Sequence, residues 1–292
     1  MVWVSGYKLA VAVSNAGGLG LIGAGSMKPY LLREHIQKAW IKTDKPFGVN
    51  IPLLRGDAGD LVDVAIDEKV KIIFTSAGHP GKFIEKLKEA DCTVIHVIPS
   101  VKYALKAESV GCDAVVAEGF EAGGHNGIDE ITTFTLVPQV VDAVKIPVIA
   151  AGGIADGRGM AAVFALGAEG VQIGTRFAAS VESSAHENYK QAILNATDTS
   201  TILLMKKVAP VRLIKNEFAE KIIQAEQRSA TKEELAELLG KGRERLAIFE
   251  GNLEEGEIEA GQISGMINEI LPAGEIVGLL MKQYFETKNN LP

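Results

Sequence analysis

Short apolar runs alternate with longer segments in which apolar residues recur every three or four positions. The runs cover 19–23, 47–51, 72–75, 93–97, 114–118, 147–150 and 170–173. They carry β-branched and aliphatic residues with little polar alternation, which predicts strands covered on both faces. Between them, 30–40, 60–67, 81–90, 101–109, 133–144 and 158–166 follow the helical period. Successive strands begin roughly twenty to thirty residues apart, the pitch of βα units in a parallel sheet. The pattern predicts an α/β chain folded as a (β/α)8 TIM barrel. Seven strands are visible, and the chain opens on a helix, 7–15, closed by Gly17-Gly18. A closed barrel requires one more strand before that helix, so the first strand is expected upstream of residue 1. After Phe177 the pattern changes. Residues 190–194 continue a helix, 196–204 have no clear period, and 211–239 read as charged and helical, with Thr231 and Glu234 placed for a capping box. A turn-rich break at 251–256 precedes two expected amphipathic helices, 258–270 and 275–285, separated by Pro272. The chain therefore divides into a barrel, 1–199, and a C-terminal helical subdomain, 200–292, packed over one end of it.

Composition narrows the function. The chain has 292 residues, 47% of them hydrophobic and 23% charged, enough for a large core. The net charge of −7 argues against nonspecific binding to nucleic acid or an anionic membrane. Its apolar stretches are strand-sized and broken by glycine or charge, so none predicts a membrane span. Cys92 and Cys112, the two cysteines, have no metal-like spacing and read as reduced structural thiols. Together with the lack of a signal peptide this predicts a cytoplasmic protein. No carboxylate or histidine cluster shows metal spacing, no Walker loop is present, and no serine stands in a nucleophile elbow. Gly17-Gly18-Leu19-Gly20 precedes a strand instead of following one, which excludes a dinucleotide fingerprint.

Two glycine turns close the last two expected strands, Ala151-Gly152-Gly153-Ile154 and Ile173-Gly174-Thr175-Arg176. Backbone amides there can approach an anion closely, and the last two βα turns of a barrel are a usual phosphate seat. Helix starts near 156–159 and Ser180 are expected to assist. His125 follows Gly123-Gly124 on a long loop after a strand ending in Glu118. A loop at a strand's carboxyl end is where barrel chemistry is placed, and imidazole donates a proton near neutrality. His35, His79, His96 and His186 stand in packing or surface contexts. Glu118 has three readings: an anchor for the glycine loop, a partner for a cofactor ring, or an orienter of His125. Asn50 and Gln172 are amides in apolar strands, and Ser76-Ala77-Gly78 is a small-residue strand exit where a ligand can lie close.

These residues resemble the nitronate monooxygenase (2-nitropropane dioxygenase) superfamily of FMN-dependent (β/α)8 barrels. The resemblance rests on Ala12-Val13-Ser14-Asn15-Ala16-Gly17-Gly18-Leu19-Gly20, Pro46-Phe47-Gly48-Val49-Asn50-Ile51, Glu121-Ala122-Gly123-Gly124-His125, Ala151-Gly152-Gly153-Ile154-Ala155-Asp156-Gly157 and Gly174-Thr175-Arg176-Phe177. Within the superfamily the chain is most similar to the flavin-dependent type II enoyl-ACP reductases, through Ala117–Glu121, Glu182-Ser183-Ser184-Ala185-His186 and Ala260-Gly261-Gln262-Ile263-Ser264-Gly265. The resemblance places Met1 at the methionine of the family's Gln-Gly-Gly-Met motif, whose strand would precede this sequence. It implies that Gly152, Gly153, Gly174 and Thr175 hold the FMN phosphate. It places Asn50, Ser76, Gly78, Glu118 and Gln172 around the flavin or ribityl chain, Gly123 and Gly124 beside it, and His125 as the substrate-facing proton donor or base. The activity implied is NAD(P)H-dependent reduction of enoyl thioesters on an acyl carrier protein in fatty acid synthesis, by a homodimer, with NADH or NADPH as reductant. The alternative is oxidation of alkyl nitronates by O2. A third expectation is a barrel that folds only by association and binds no flavin.

Overall fold

The computed structural model describes residues 3–291; the placement of Met1 at the family methionine lies outside them. All seven expected strands are present and parallel: β1 (Gly20–Gly23), β2 (Phe47–Pro52), β3 (Ile72–Ser76), β4 (Thr93–Ile98), β5 (Ala114–Glu118), β7 (Val148–Ala151) and β8 (Gly170–Gln172). They pair in the order β1-β2-β3-β4-β5-β7-β8. β6 (Gly124–His125), an unexpected short strand, belongs to a second sheet.

Residue alternation sorts this curled sheet into two faces. Phe47, Val49, Ile51, Val115, Ala117, Val148 and Ala150 join the main core beneath the helices. Phe74, Ile95, Ala114, Val116 and Ala151, with Leu21, Ile72, Val97 and Ile149, form a separate inner cluster. Burial on both faces is the reason the strands read as continuous apolar runs. At the rim between the two edge strands, the Gly23 N–H donates to the Ser5 carbonyl at 2.9 Å. The Ser184 N–H donates to the Val4 carbonyl at 3.1 Å. Residues 3–5 thereby tie the end of β1 to the segment that follows β8. Cys92 and Cys112 are free, buried thiols, and no helix among the described residues is long and apolar enough to cross a membrane.

Beyond the barrel the expected elements are revised. Residues 201–204 and 211–214 are strands, β9 (Thr201–Leu204) and β10 (Val211–Ile214), in an antiparallel sheet ordered β6-β10-β9. Helices Glu217–Gln227 and Lys232–Leu239 cover it. The capping box forms as expected, the Thr231 N–H donating to Glu234 Oε2 at 2.8 Å. Where 258–270 is expected to be a helix, the chain is extended and then makes a short 3-10 turn, Gln262–Met266. The cause is tertiary. The Ile214 N–H donates to the Ile258 carbonyl at 2.9 Å and the Gln262 N–H to the Glu121 carbonyl at 3.0 Å. The last helix, Ala273–Asn290, does not lie over the barrel's end. It packs on helices Gly157–Ala165 and Tyr7–Asn15 in the outer ring, with Ile276 and Leu280 in the main core and Tyr284 edge-on to Phe164 at 5.2 Å.

Candidate active site

The carboxyl ends of the parallel strands collect most of the residues singled out in the sequence. In β5, Ala114 and Val116 face inward, so Glu118 continues the inner face. Glu118 stands opposite Ala151 of β7, and Gln172 of β8 stands opposite the same alanine on its other side. Asn50, between the outward Val49 and Ile51, faces inward opposite Phe74. Ser76 continues the inward face of β3 opposite Pro52. The side chains of Asn50, Glu118 and Gln172 make no hydrogen bond to protein among the described residues, although Asn50 is buried. Burial pushes the Glu118 carboxyl up to about 7, so it carries a proton for much of the time near neutrality. Three polar groups held inward without partners are expensive in a finished core and natural in a ligand site.

The glycine turns divide by cause. Gly152 has φ +86°, and a Cβ there would lie 2.7 Å from the Gly119 carbonyl oxygen, so its conformation and its packing both require glycine. Gly78 answers to Leu53 in the same way. A Cβ on Gly174 would meet nothing within 4 Å; the open space beside it is not claimed by the protein. Among the described residues, the N–H groups of Gly152, Gly153 and Gly174 donate to no backbone acceptor. The expected contribution of helix starts is corrected. Asp156 caps helix Gly157–Ala165, its Oδ1 accepting from the Arg158 N–H at 2.9 Å and the Gly159 N–H at 3.3 Å. The Gly157 N–H goes to Gln283 Oε1 at 3.2 Å. Those amides are spent on the protein. No helix begins at Ser180, which is buried with its hydroxyl on the Phe177 carbonyl at 2.6 Å. The short helix there is Thr175–Ala178.

The loop after β5 is built against a segment that returns from far along the chain. Glu121 accepts from the Thr133 N–H at 2.9 Å and from its hydroxyl at 3.0 Å, which ties the loop to the start of helix Thr133–Ala143. A Cβ on Gly123 would lie 2.5 Å from the Ala260 carbonyl carbon. The Gly261 N–H donates to the Thr175 hydroxyl at 3.0 Å. Thr175 thus pins the returning segment, a task unforeseen for it. His125 is exposed on β6, its backbone paired with Val211, and its ring makes no protein hydrogen bond among the described residues. In the sequence Glu121 is visible as the opening of the Glu121–His125 stretch but with no role, and Glu259 is not singled out. Glu259, half-buried, has its pKa raised by burial, while the neighbouring His125 opposes the shift. Glu259 directly precedes the Ala260–Gly265 stretch, but nothing in its own setting marks the carboxylate out.

The inward-facing polar set and the free amides gather at the carboxyl ends of the parallel strands, where barrels of this TIM-like class place their chemistry. The nitronate monooxygenase family model matches residues 1–65 and 58–283, and the chain belongs to that family of oxidoreductases. It is 33% identical over 317 residues to the (3aS,4S,5R,7aS)-5-hydroxy-7a-methyl-1-oxo-octahydro-1H-indene-4-carboxyl-CoA dehydrogenase of Mycobacterium tuberculosis, covering 95% of this chain and 89% of that protein. It is 38% identical over 261 residues to a probable nitronate monooxygenase of Staphylococcus saprophyticus, covering 74% of each. The FabK structure from Thermotoga maritima superimposes with a TM-score of 0.94 at 50% identity, covering 99% of this chain and 92% of that one.

Proposed function

We propose that the protein is an FMN-dependent reductase of enoyl thioesters, with acyl carrier protein as the substrate's carrier and NADH or NADPH as the hydride source. The observation that carries this reading is the unpartnered set of Asn50, Glu118 and Gln172 beneath the free amides of Gly152, Gly153 and Gly174. Such a set fits a flavin mononucleotide: donors and acceptors for a heterocycle at the barrel's inner face, and amides with open space for a phosphate at its edge. When bound, that group supplies hydride transfer, which no side chain provides. Ser76 and Gly78 would border it, with Gly123, Gly124 and Thr175 fixing the strap above. The likeness to FabK supports an enoyl-ACP substrate, and the carboxyl-CoA dehydrogenase relative supports a thioester more generally.

The reduction adds hydride at the β-carbon and a proton at the α-carbon. His125 is the residue of this chain suited to the proton. It is exposed at the mouth, carried on a strand, and free of protein partners. Glu118, protonated for part of the time near neutrality, can donate a hydrogen bond as well as accept one. Segment 259–266, held by Thr175 and Glu121, limits water at the same place. The nitronate monooxygenase family model and the Staphylococcus relative support the second reading, oxidation of nitronates by O2.

Anaerobic mixing of the flavin-loaded protein with NADH, then NADPH, followed at the flavin's long-wavelength band, separates the two. The reductase reading expects bleaching, then reoxidation by an enoyl thioester. An unbleached flavin together with nitronate-dependent O2 uptake would overturn it. His125→Ala is expected to lower enoyl reduction about 100-fold while nicotinamide still bleaches the flavin. Unchanged turnover would remove His125 from the chemistry.

A further inference from the structure

The turn that closes β7 owes its direction to one hydroxyl. The Thr133 hydroxyl stands 3.0 Å from the Gly152 carbonyl and 3.2 Å from the Ala151 carbonyl. It also lies 3.0 Å from Glu121 Oε2. A hydroxyl carries one proton, and carbonyl and carboxylate oxygens only accept. Two of the three neighbours have other donors. The Gly119 N–H reaches the Ala151 carbonyl at 2.9 Å, and the Thr133 N–H reaches Glu121 Oε1 and Oε2 at 3.1 and 2.9 Å. Among the described residues the Gly152 carbonyl has the Thr133 hydroxyl alone, so the proton belongs there.

The consequence runs through the peptide plane. In a trans peptide the N–H points opposite to the carbonyl of the same unit, and no peptide bond among the described residues is cis. Drawing the Ala151 and Gly152 carbonyls toward Thr133 therefore turns the Gly152 and Gly153 N–H groups the other way. These are two successive amides with no protein acceptor among the described residues, the arrangement of an anion nest. Gly152 and Gly153 have φ +86° and +70°. A Gly-Gly peptide rotates at little steric cost, so its direction has to be imposed from outside the turn. The packing is shaped for that contact. Thr133 is buried at the start of helix Thr133–Ala143, and a Cβ on Gly119 would overlap its hydroxyl.

We propose that Thr133 is a positioning residue for the flavin phosphate, its hydroxyl fixing the Gly152–Gly153 peptide so that both amides face the anion. This rests on the phosphate reading of that turn given above. Thr133 stands behind the turn and does not meet the flavin; its effect passes through the backbone. A valine in its place keeps the shape and the helix start, leaves the Gly152 carbonyl without a donor, and frees the peptide to turn. A serine keeps the hydroxyl and with it the direction of both amides.

The test titrates the full chain, freed of flavin, with FMN and with riboflavin, which lacks the phosphate, in wild type, T133V and T133S. Wild type is expected to prefer FMN. T133V is expected to weaken FMN binding about tenfold while riboflavin affinity stays within about twofold, which also checks that the variant is folded. T133S is expected to recover most of the FMN affinity. Should T133V fail to fold, T133S and T133A differ from each other by the hydroxyl alone and carry the same expectation. A wild-type preference for FMN in the variant without the hydroxyl would overturn the proposal and leave the phosphate reading standing. Equal loss of FMN and riboflavin would overturn it too, since that marks a purely structural role. A wild type that binds the two flavins alike would overturn the phosphate reading, and Thr133's part with it.

Discussion

At the scale of single residues, glycines that look alike in the sequence are held for different reasons. Gly152 adopts φ +86° with the Gly119 carbonyl 2.7 Å from where a Cβ would go, whereas the space beside Gly174 is open to 4 Å. Gly152→Ala is therefore expected to destabilise the protein by about 1–3 kcal/mol, measured by denaturant unfolding. Gly174→Ala is expected to leave stability within about 0.5 kcal/mol of wild type yet weaken flavin retention, because the added methyl would enter the space proposed for the flavin phosphate. Wild-type flavin affinity in Gly174→Ala would mean that the phosphate is not held there. The sequence shows both turns, since Gly-Gly after an apolar run is a local signal. Asn50, Glu118 and Gln172 are legible for a related reason: each is polar in an apolar strand, and period-two alternation then sets its direction. Glu121 and Glu259 are not legible in that way. Glu121 opens one stretch the resemblance picks out and Glu259 precedes another, but their contacts follow from a segment that returns across the β5 loop, which no local period reports.

At the scale of elements, the parallel strands were readable because burial on both faces leaves unbroken apolar runs. β10 was not. Its sequence, Val211-Arg212-Leu213-Ile214, has a charge in the middle and helical neighbours, so a helical period swallows it. All four residues are buried in the structure, Arg212 at 2% exposure. Its guanidinium lies over the Phe120 ring, 4.5 Å from the centroid, while donating to the Phe120 carbonyl and the Thr201 hydroxyl. A buried cation is tolerated where stacking and hydrogen bonds replace water. Arg212 thus ties Phe120, at the start of the loop that carries β6 and His125, to the sheet beside the barrel, in addition to the backbone pairing of β6 with β10. Arg212→Met keeps much of the volume but leaves the Phe120 carbonyl unpaired. It is expected to cost about 2–4 kcal/mol and to speed amide exchange at Gly124 and His125. Wild-type protection at those two amides in the variant would show that β6 is held by other contacts. The same pairing with β10 straightens 258–259 and denies that segment its helix. In both places a local helical period gave way to long-range pairing.

At the scale of the molecule, proton linkage connects the site to stability. Burial raises Glu118 to about 7 and Glu257 to about 8, and raises Glu259 as well. In the unfolded chain these groups have the ordinary pKa of 4.5. Between that value and the folded one, the native state binds protons that the unfolded state has released, so stability falls as pH rises. The contribution is complete below about 4.5 and is lost by about 8. Paired carboxylates act oppositely: the hydrogen bonds from Arg158 and the Gly159 amide hold Asp156 low, and its contribution fades only in stronger acid. Burial holds His96 down to about 4 from its ordinary 6.5, which makes stability rise with pH between those values, so the falling Tm is expected in thermal unfolding above pH 6.5. Glu257 isolates the effect, being buried at 6% exposure and outside the proposed flavin contacts. Glu257→Gln is expected to flatten the slope by an amount no larger than about 5 kcal/mol across the window. An unchanged slope would mean that Glu257 meets water or a partner cation in the folded protein. A flattened one would mean that burial of the Glu257 carboxyl itself supplies this part of the stability.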